Sequence, residues 1–267
     1  MQPNRHIPKK SFGQHFLKDV RVLKRIIEVS ELTLSDMVLE IGPGKGALTK
    51  RLLATGARVV AVEKDADLIP VLSETFAAEI ASQQLLLVHA DVMDWIATQK
   101  ILDDHAYKVV ANIPYNITGA LIEALLTAKC QPASMTLLIQ KEVAERIVAR
   151  DGKGSILAWS VHYFGTPKYC FTVAKQAFNP PPKVSSAVIT VTNITHVQES
   201  LPEALFFRIT RAAFAHKRKQ LQKNLKAIIP EKVLHETWEA LHLSPQIRAE
   251  DISWSTWLLL IRALLNS

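Results

Sequence analysis

Asn112-Ile113-Pro114-Tyr115 carries the most chemistry in the chain. A side-chain carbonyl, a rigid proline and an aromatic ring in succession suit the exocyclic amino group of adenine. That nitrogen is a poor nucleophile because its lone pair is delocalised into the ring. The side-chain carbonyl of Asn112 and a backbone carbonyl nearby, most simply that of Pro114, would accept its two N–H bonds and hold it toward a tetrahedral geometry. Pro114 has no N–H and a fixed φ, which stiffens the acceptor array. Tyr115 would stack on the base, a contact worth roughly 1–3 kcal/mol in single-stranded recognition. Asn112, Pro114 and Tyr115 are therefore the candidate catalytic residues, for an in-line displacement at a methyl carbon that needs no metal and no covalent enzyme intermediate. The same residues also read as an Asn-x-Pro turn capping a strand, with Tyr115 packed.

Glu40-Ile41-Gly42-Pro43-Gly44-Lys45-Gly46 is a glycine turn of the kind that lets backbone approach a ligand. Scanned as Gly42-x-Gly44-x-x-Ala47, with Glu63 about 20 residues on, it also matches a dinucleotide fingerprint, so hydride transfer competes, as does a purely structural turn. Glu40 argues for methyl transfer: an anion beside the loop suits a cofactor with a sulfonium and an amino group better than one with a pyrophosphate. Asp91 is placed to accept from an adenine amino group, or to cap a helix. The expected cofactor is S-adenosylmethionine, and a hydride-transfer reading lacks a base near Asn112.

These residues need a scaffold that brings them together. Met37–Ile41, Arg58–Val62, Leu85–Val88, Lys108–Ala111 and Met135–Ile139 read as strands, alternating with helices from about Ala47, over Asp67–Ile80 and over Thr118–Ala128. Such alternation predicts a parallel sheet with helices on both faces and ligands at the C-terminal strand ends. Tyr169–Val173 and Ala187–Thr192, flanking Asn179-Pro180-Pro181-Pro182, read as antiparallel strands closing the sheet. Leu205, Ile209, Ala213, Leu221, Leu225 and Ile228 form an interrupted helical stripe, and Val233–Leu241 a further helix. The expected fold is an α/β, Rossmann-like methyltransferase sheet over residues 1–197, with a small all-helical domain over 198–267.

Composition is that of an ordinary globular protein, with 48% hydrophobic and 21% charged residues. The polar, basic start has no signal-like core, and no stretch suits a membrane span. Cys130 and Cys170 have neither metal-ligand nor redox spacing, which suits a reducing compartment and a cytoplasmic protein. The net charge of +7 is localised: residues 1–25 hold seven basic and one acidic side chain, residues 206–229 seven basic and none acidic. Two basic blocks on an otherwise acidic body suggest a polyanion-binding surface, although each alone also reads as a solvated face.

With these motifs the chain resembles the ribosomal RNA adenine dimethyltransferase family, in its bacterial small-subunit form. Also matching are Phe12-Gly13-Gln14-His15-Phe16-Leu17, Leu138-Ile139-Gln140-Lys141-Glu142-Val143, Phe178-Asn179-Pro180-Pro181-Pro182-Lys183-Val184, and Phe214-x-x-Lys217-Arg218-Lys219 with Asn224-Leu225. The resemblance implies that Gln14, His15 and Leu17 fold over S-adenosylmethionine. Gly42 would lie at its methionine end, Glu63 on the ribose, Asp91 on the adenine and Asn112 at the reacting centre. His15 stands where other members have asparagine, so its backbone is the firmer expected contact. Phe178 would sandwich a flipped base against Tyr115, though beside three prolines it also reads as a core plug. Arg218 and Lys219 would contact RNA. The implied substrate is a pair of adjacent adenosines in the loop of a hairpin near the 3′ end of small-subunit ribosomal RNA, and the partner a 30S pre-subunit met by a monomer. Two alternatives stay open: a large-subunit RNA target, and a mainly non-enzymatic assembly factor.

Overall fold

The computed structural model describes residues 8–9, 13–98, 102, 106–150, 152–195 and 201–265. Phe12 lies outside them. Two compact units divide the chain: residues 1–144 with 166–194, and residues 145–165 with 195–267. The boundary expected near residue 197 is thus incomplete. Residues 145–165, expected in the first domain, cluster with the C-terminal helices.

In the first unit the strands are β1 (Phe16–Leu17), β2 (Met37–Ile41), β3 (Arg58–Glu63), β4 (Leu85–His89), β5 (Tyr107–Asn112), β6 (Ser134–Gln140), β7 (Thr166–Val173), β8 (Phe178–Asn179) and β9 (Ser186–Thr192). Seven of them form one sheet, ordered β4-β3-β2-β5-β6-β9-β7. From β4 to β6 neighbours are parallel; β9 is antiparallel to both β6 and β7. The central strands read as near-continuous apolar runs because both faces are covered, and β2 is buried at every residue, Glu40 included. Strand order reverses between β2 and β5, and there the loops after the two strands diverge to leave a crevice. The expected helix over Asp67–Ile80 starts at Ile69, with Pro70 in its first turn, and is interrupted at Phe76 to give Ile69–Thr75 and Ala77–Ala81.

A separate two-stranded ribbon pairs β1 with β8, Phe16 opposite Asn179 and Leu17 opposite Phe178. It ties the end of the N-terminal arm to the proline-rich turn. Beyond the ribbon comes a helix, Val20–Ser30, capped by Asp19, whose carboxylate accepts from the N–H groups of Arg21 and Val22.

In the second unit, helix Ile156–Phe164 joins helices Glu203–Ala213, Leu221–Leu225, Glu231–Ala240 and Trp254–Leu265. Its core is aromatic: Tyr163 stacks on Phe206 with centroids 4.4 Å apart, and Phe164 and Phe207 complete the cluster. The apolar stripe is interrupted because the chain leaves the helix after Ala213. Among the described residues, no helix is long and apolar enough to cross a membrane.

Candidate active site

A cavity of about 210 Å³ opens at the C-terminal ends of β2 to β5, within the first unit. Its floor is the glycine turn. Gly42 adopts φ 65°, and a Cβ there would meet nothing within 4 Å, so the space beside it is open for a ligand. Gly44, at φ 59°, is packed instead: a Cβ would lie 2.8 Å from the Phe16 ring. The arm therefore lies against the turn at Gly44 and leaves Gly42 clear.

Acidic side chains surround this turn. Glu40 is 1% exposed, and among the described residues its Oε2 has no hydrogen-bond partner. Burial, with the Glu63 carboxylate adding to it, pushes its pKa up to about 8. Expected as an anion, Glu40 is thus shifted by its burial toward the neutral form. Glu63 accepts from the N–H of Gly44 at 3.0 Å through one oxygen and from the N–H of Asp65 at 2.8 Å through the other. Its pKa is raised, chiefly by burial. Asp91 does cap a helix, Val92–Thr98, accepting from the Met93 N–H at 2.9 Å. It also pairs with Lys64 at 2.6 Å, which holds its carboxyl below the usual range. Glu40, Gly42, Glu63, Lys64 and Asp91 all line the cavity.

At the far wall, the Asn112 amide donates through Nδ2 to the backbone carbonyl of His15 at 3.0 Å. Among the described residues its Oδ1 has no partner. The Pro114 carbonyl, expected as the second acceptor, is already engaged: it takes the Ile117 N–H at 3.2 Å and the Thr118 hydroxyl at 3.3 Å, closing the turn into helix Thr118–Thr127. The Ile113 carbonyl accepts no hydrogen bond among the described residues, while its N–H is fixed to Leu138 at 3.1 Å. Among the described residues, the backbone carbonyl beside Asn112 left without a donor is thus that of Ile113, one residue upstream of Pro114. Tyr115 is oriented by a 2.6 Å bond between its hydroxyl and that of buried Ser186.

The arm forms the roof. His15 bonds the Pro180 carbonyl through Nδ1 at 2.8 Å, and its ring stacks on Tyr115 with centroids 5.9 Å apart. Its side chain therefore serves the protein, and its backbone orients Asn112. The Gln14 amide donates to Asp65 at 2.7 Å and its carbonyl accepts from the Lys9 N–H at 2.7 Å. Leu17 borders the cavity while sitting in the core, 6% exposed.

Phe178 corrects an expectation. It is 1% exposed, packed in the hydrophobic core and absent from the cavity lining, so here it is the core plug rather than a wall of a base sandwich. In a two-residue strand paired with β1, side chains alternate, and the inward place goes to Phe178 while Asn179 is exposed. Lys217, Arg218 and Lys219 are exposed in the second unit, on the loop after helix Glu203–Ala213. Its base is held by buried Asn224, whose amide donates to the carbonyls of Ala213 at 2.6 Å and His216 at 3.2 Å.

Asp65 and the Ile113 carbonyl were not singled out by sequence reasoning. Asp65 carried a signal, since an acid two residues beyond a strand-end glutamate shares its side of an extended chain.

Known proteins resemble the chain over most of its length. A relative from Caulobacter vibrioides, described as "Ribosomal RNA small subunit methyltransferase A", is 40% identical over 260 residues, covering 97% of this chain and 98% of its own. One of the same description from Rippkaea orientalis is 39% identical over 263 residues, covering 94% and 96%. A dimethyladenosine transferase from Plasmodium falciparum superposes with a TM-score of 0.75 at 26% identity, covering 92% of this chain and 96% of its own. The 23S rRNA methyltransferase ErmE, at 24% identity and a TM-score of 0.78, shares the fold. With its glycine turn, strand-end acids and Asn-Ile-Pro-Tyr wall on one cavity, and a match to the family model over residues 5–265, the chain belongs to the ribosomal RNA adenine dimethylase family.

Proposed function

We propose that this protein transfers methyl groups from S-adenosylmethionine to the N6 amino groups of two adjacent adenosines, in the loop of the hairpin near the 3′ end of small-subunit ribosomal RNA. The observation that carries the reading is the polarity of Asn112. With its NH2 committed to the His15 carbonyl, the group facing a substrate is an acceptor, which suits an amino group and not an unprotonated ring nitrogen or a carbonyl. The relatives' descriptions support the choice of the small subunit.

The residues fit the cofactor. Glu40 offers a buried oxygen without a donor among the described residues, and Gly42 leaves open space beside it. Glu40 and Gly42 would hold the methionine end, Glu63 the ribose hydroxyls through its remaining lone pairs, and Asp91 the adenine amino group. When bound, the cofactor supplies an electrophilic methyl group on a sulfonium centre. Asn112 Oδ1 and the Ile113 carbonyl would accept the two N–H bonds of the target amine and orient its lone pair. Tyr115, held by Ser186 and covered on one face by His15, would offer its other face to the base. Arg218 and Lys219 would bind RNA phosphates on the helical unit. A cytoplasmic monomer acting on the 30S pre-subunit completes the reading.

Methyl transfer to small subunits isolated from cells lacking the modification, followed by nucleoside mass spectrometry, tests it. Dimethyladenosine in the small-subunit RNA is expected; methyl groups only on large-subunit RNA, or none, would overturn it.

A further inference from the structure

Asp65 does not line the cavity, yet it is fully buried directly behind it. One oxygen accepts from the Lys9 ammonium at 2.6 Å and from the Asp67 N–H at 3.2 Å; the other accepts from the Gln14 side-chain amide at 2.7 Å. Its own N–H is held by Glu63, whose second oxygen holds Gly44. A continuous run of hydrogen bonds thus links the glycine turn, through the ribose-binding candidate Glu63, to the arm that roofs the cavity. Lys9 also reaches Asp67 at 2.6 Å.

We propose that Asp65 is a positioning residue that latches the arm at Lys9 and Gln14 over the bound cofactor and sets how fast spent cofactor leaves. The inference rests on the cavity being the S-adenosylmethionine site. Burial is what gives the latch its strength: a carboxylate withdrawn from water must keep its donors, so Lys9 and Gln14, which supply two of them, are held in place. Linkage then runs both ways. A ligand that engages Glu63 stiffens the platform on which Asp65 sits, and an arm latched by Asp65 slows that ligand's escape. Because each adenosine takes two methyl groups, cofactor exchange recurs on one substrate, and the latch would govern its pace.

The test measures S-adenosylhomocysteine dissociation by stopped flow, together with KM and kcat, for the full chain and for Asp65→Asn. The variant keeps the size but puts an NH2 where one oxygen faced a donor. Expected are a dissociation rate and a KM for S-adenosylmethionine each raised about tenfold, the scale of one missing charge-assisted hydrogen bond, with kcat at saturating cofactor within about twofold. Lys9→Met, altering the half-exposed end of the same pair, should raise both in the same direction without lowering the melting temperature. Combined with Asp65→Asn it should add less than the sum of the two. Unchanged dissociation in Lys9→Met, or full additivity, would overturn the latch. Wild-type protein that bound no S-adenosylhomocysteine would overturn the cofactor assignment itself.

Discussion

Glu40 titrates in a range where its charge state matters to the ligand. Its folded pKa of about 8 lies above the ordinary 4.5, so the folded chain without ligand binds more protons than the unfolded chain between those values. The stability this group contributes is therefore full below pH 4.5 and is lost as pH rises toward 8. Differential scanning calorimetry of wild type and Glu40→Gln should show it: the melting temperature of wild type falls relative to the variant across that window, and parallel curves would contradict the assignment. A cationic cofactor favours the ionised form, so its binding at pH 7 should release protons, seen in calorimetry as a dependence on buffer ionisation enthalpy that Glu40→Gln removes. At the reacting centre, Asn112→Ala should lower kcat by about 100-fold or more while leaving cofactor affinity within about threefold. Affinity that collapsed with it would make Asn112 architectural. Asn112, Gly42, Glu63 and Asp91 were legible as a set, because residue type and place at a strand end are both written locally. The engagement of the Pro114 carbonyl was not: it accepts from Ile117 and Thr118, a commitment visible only once the next helix is in place.

At the scale of elements, strands and alternation were legible because β2, β3 and β5 are apolar runs buried in a parallel sheet, a pattern that needs no partner to be recognised. The direction of Phe178 was not, since it depends on pairing with Leu17, far away in sequence. Nor was the break at Phe76, or the membership of helix Ile156–Phe164 in the helical unit, which follows from aromatic contacts such as Tyr163 on Phe206. Asn224 illustrates a motif residue whose role emerges from an element's end. It satisfies two carbonyls where helix Glu203–Ala213 gives way to the basic loop. Asn224→Ala should cost about 1–3 kcal/mol, the usual penalty for stranding buried hydrogen-bond partners, read as a lower midpoint in urea unfolding. A midpoint equal to wild type would mean that water serves those carbonyls equally well.

Across the whole molecule, the cavity and the first basic block belong to the sheet unit, and the exposed Lys217, Arg218 and Lys219 of the second block to the helical one. Neutralising Arg218 and Lys219 with glutamine should weaken RNA binding and reduce its logarithmic salt slope by about one for each phosphate left without its cation. An unchanged slope would make the run a solubilising face. Cofactor affinity should stay as in wild type, since the cavity draws all its lining residues from the sheet unit. The central claim, that the Asn112 wall methylates adjacent adenosines of small-subunit RNA, is tested most directly by primer extension across that RNA from cells with the wild-type chain, with Asn112→Ala and with neither. A stop in the loop of the 3′ hairpin is expected with wild type alone; read-through with wild type, or a stop that persists with Asn112→Ala, would contradict this assignment.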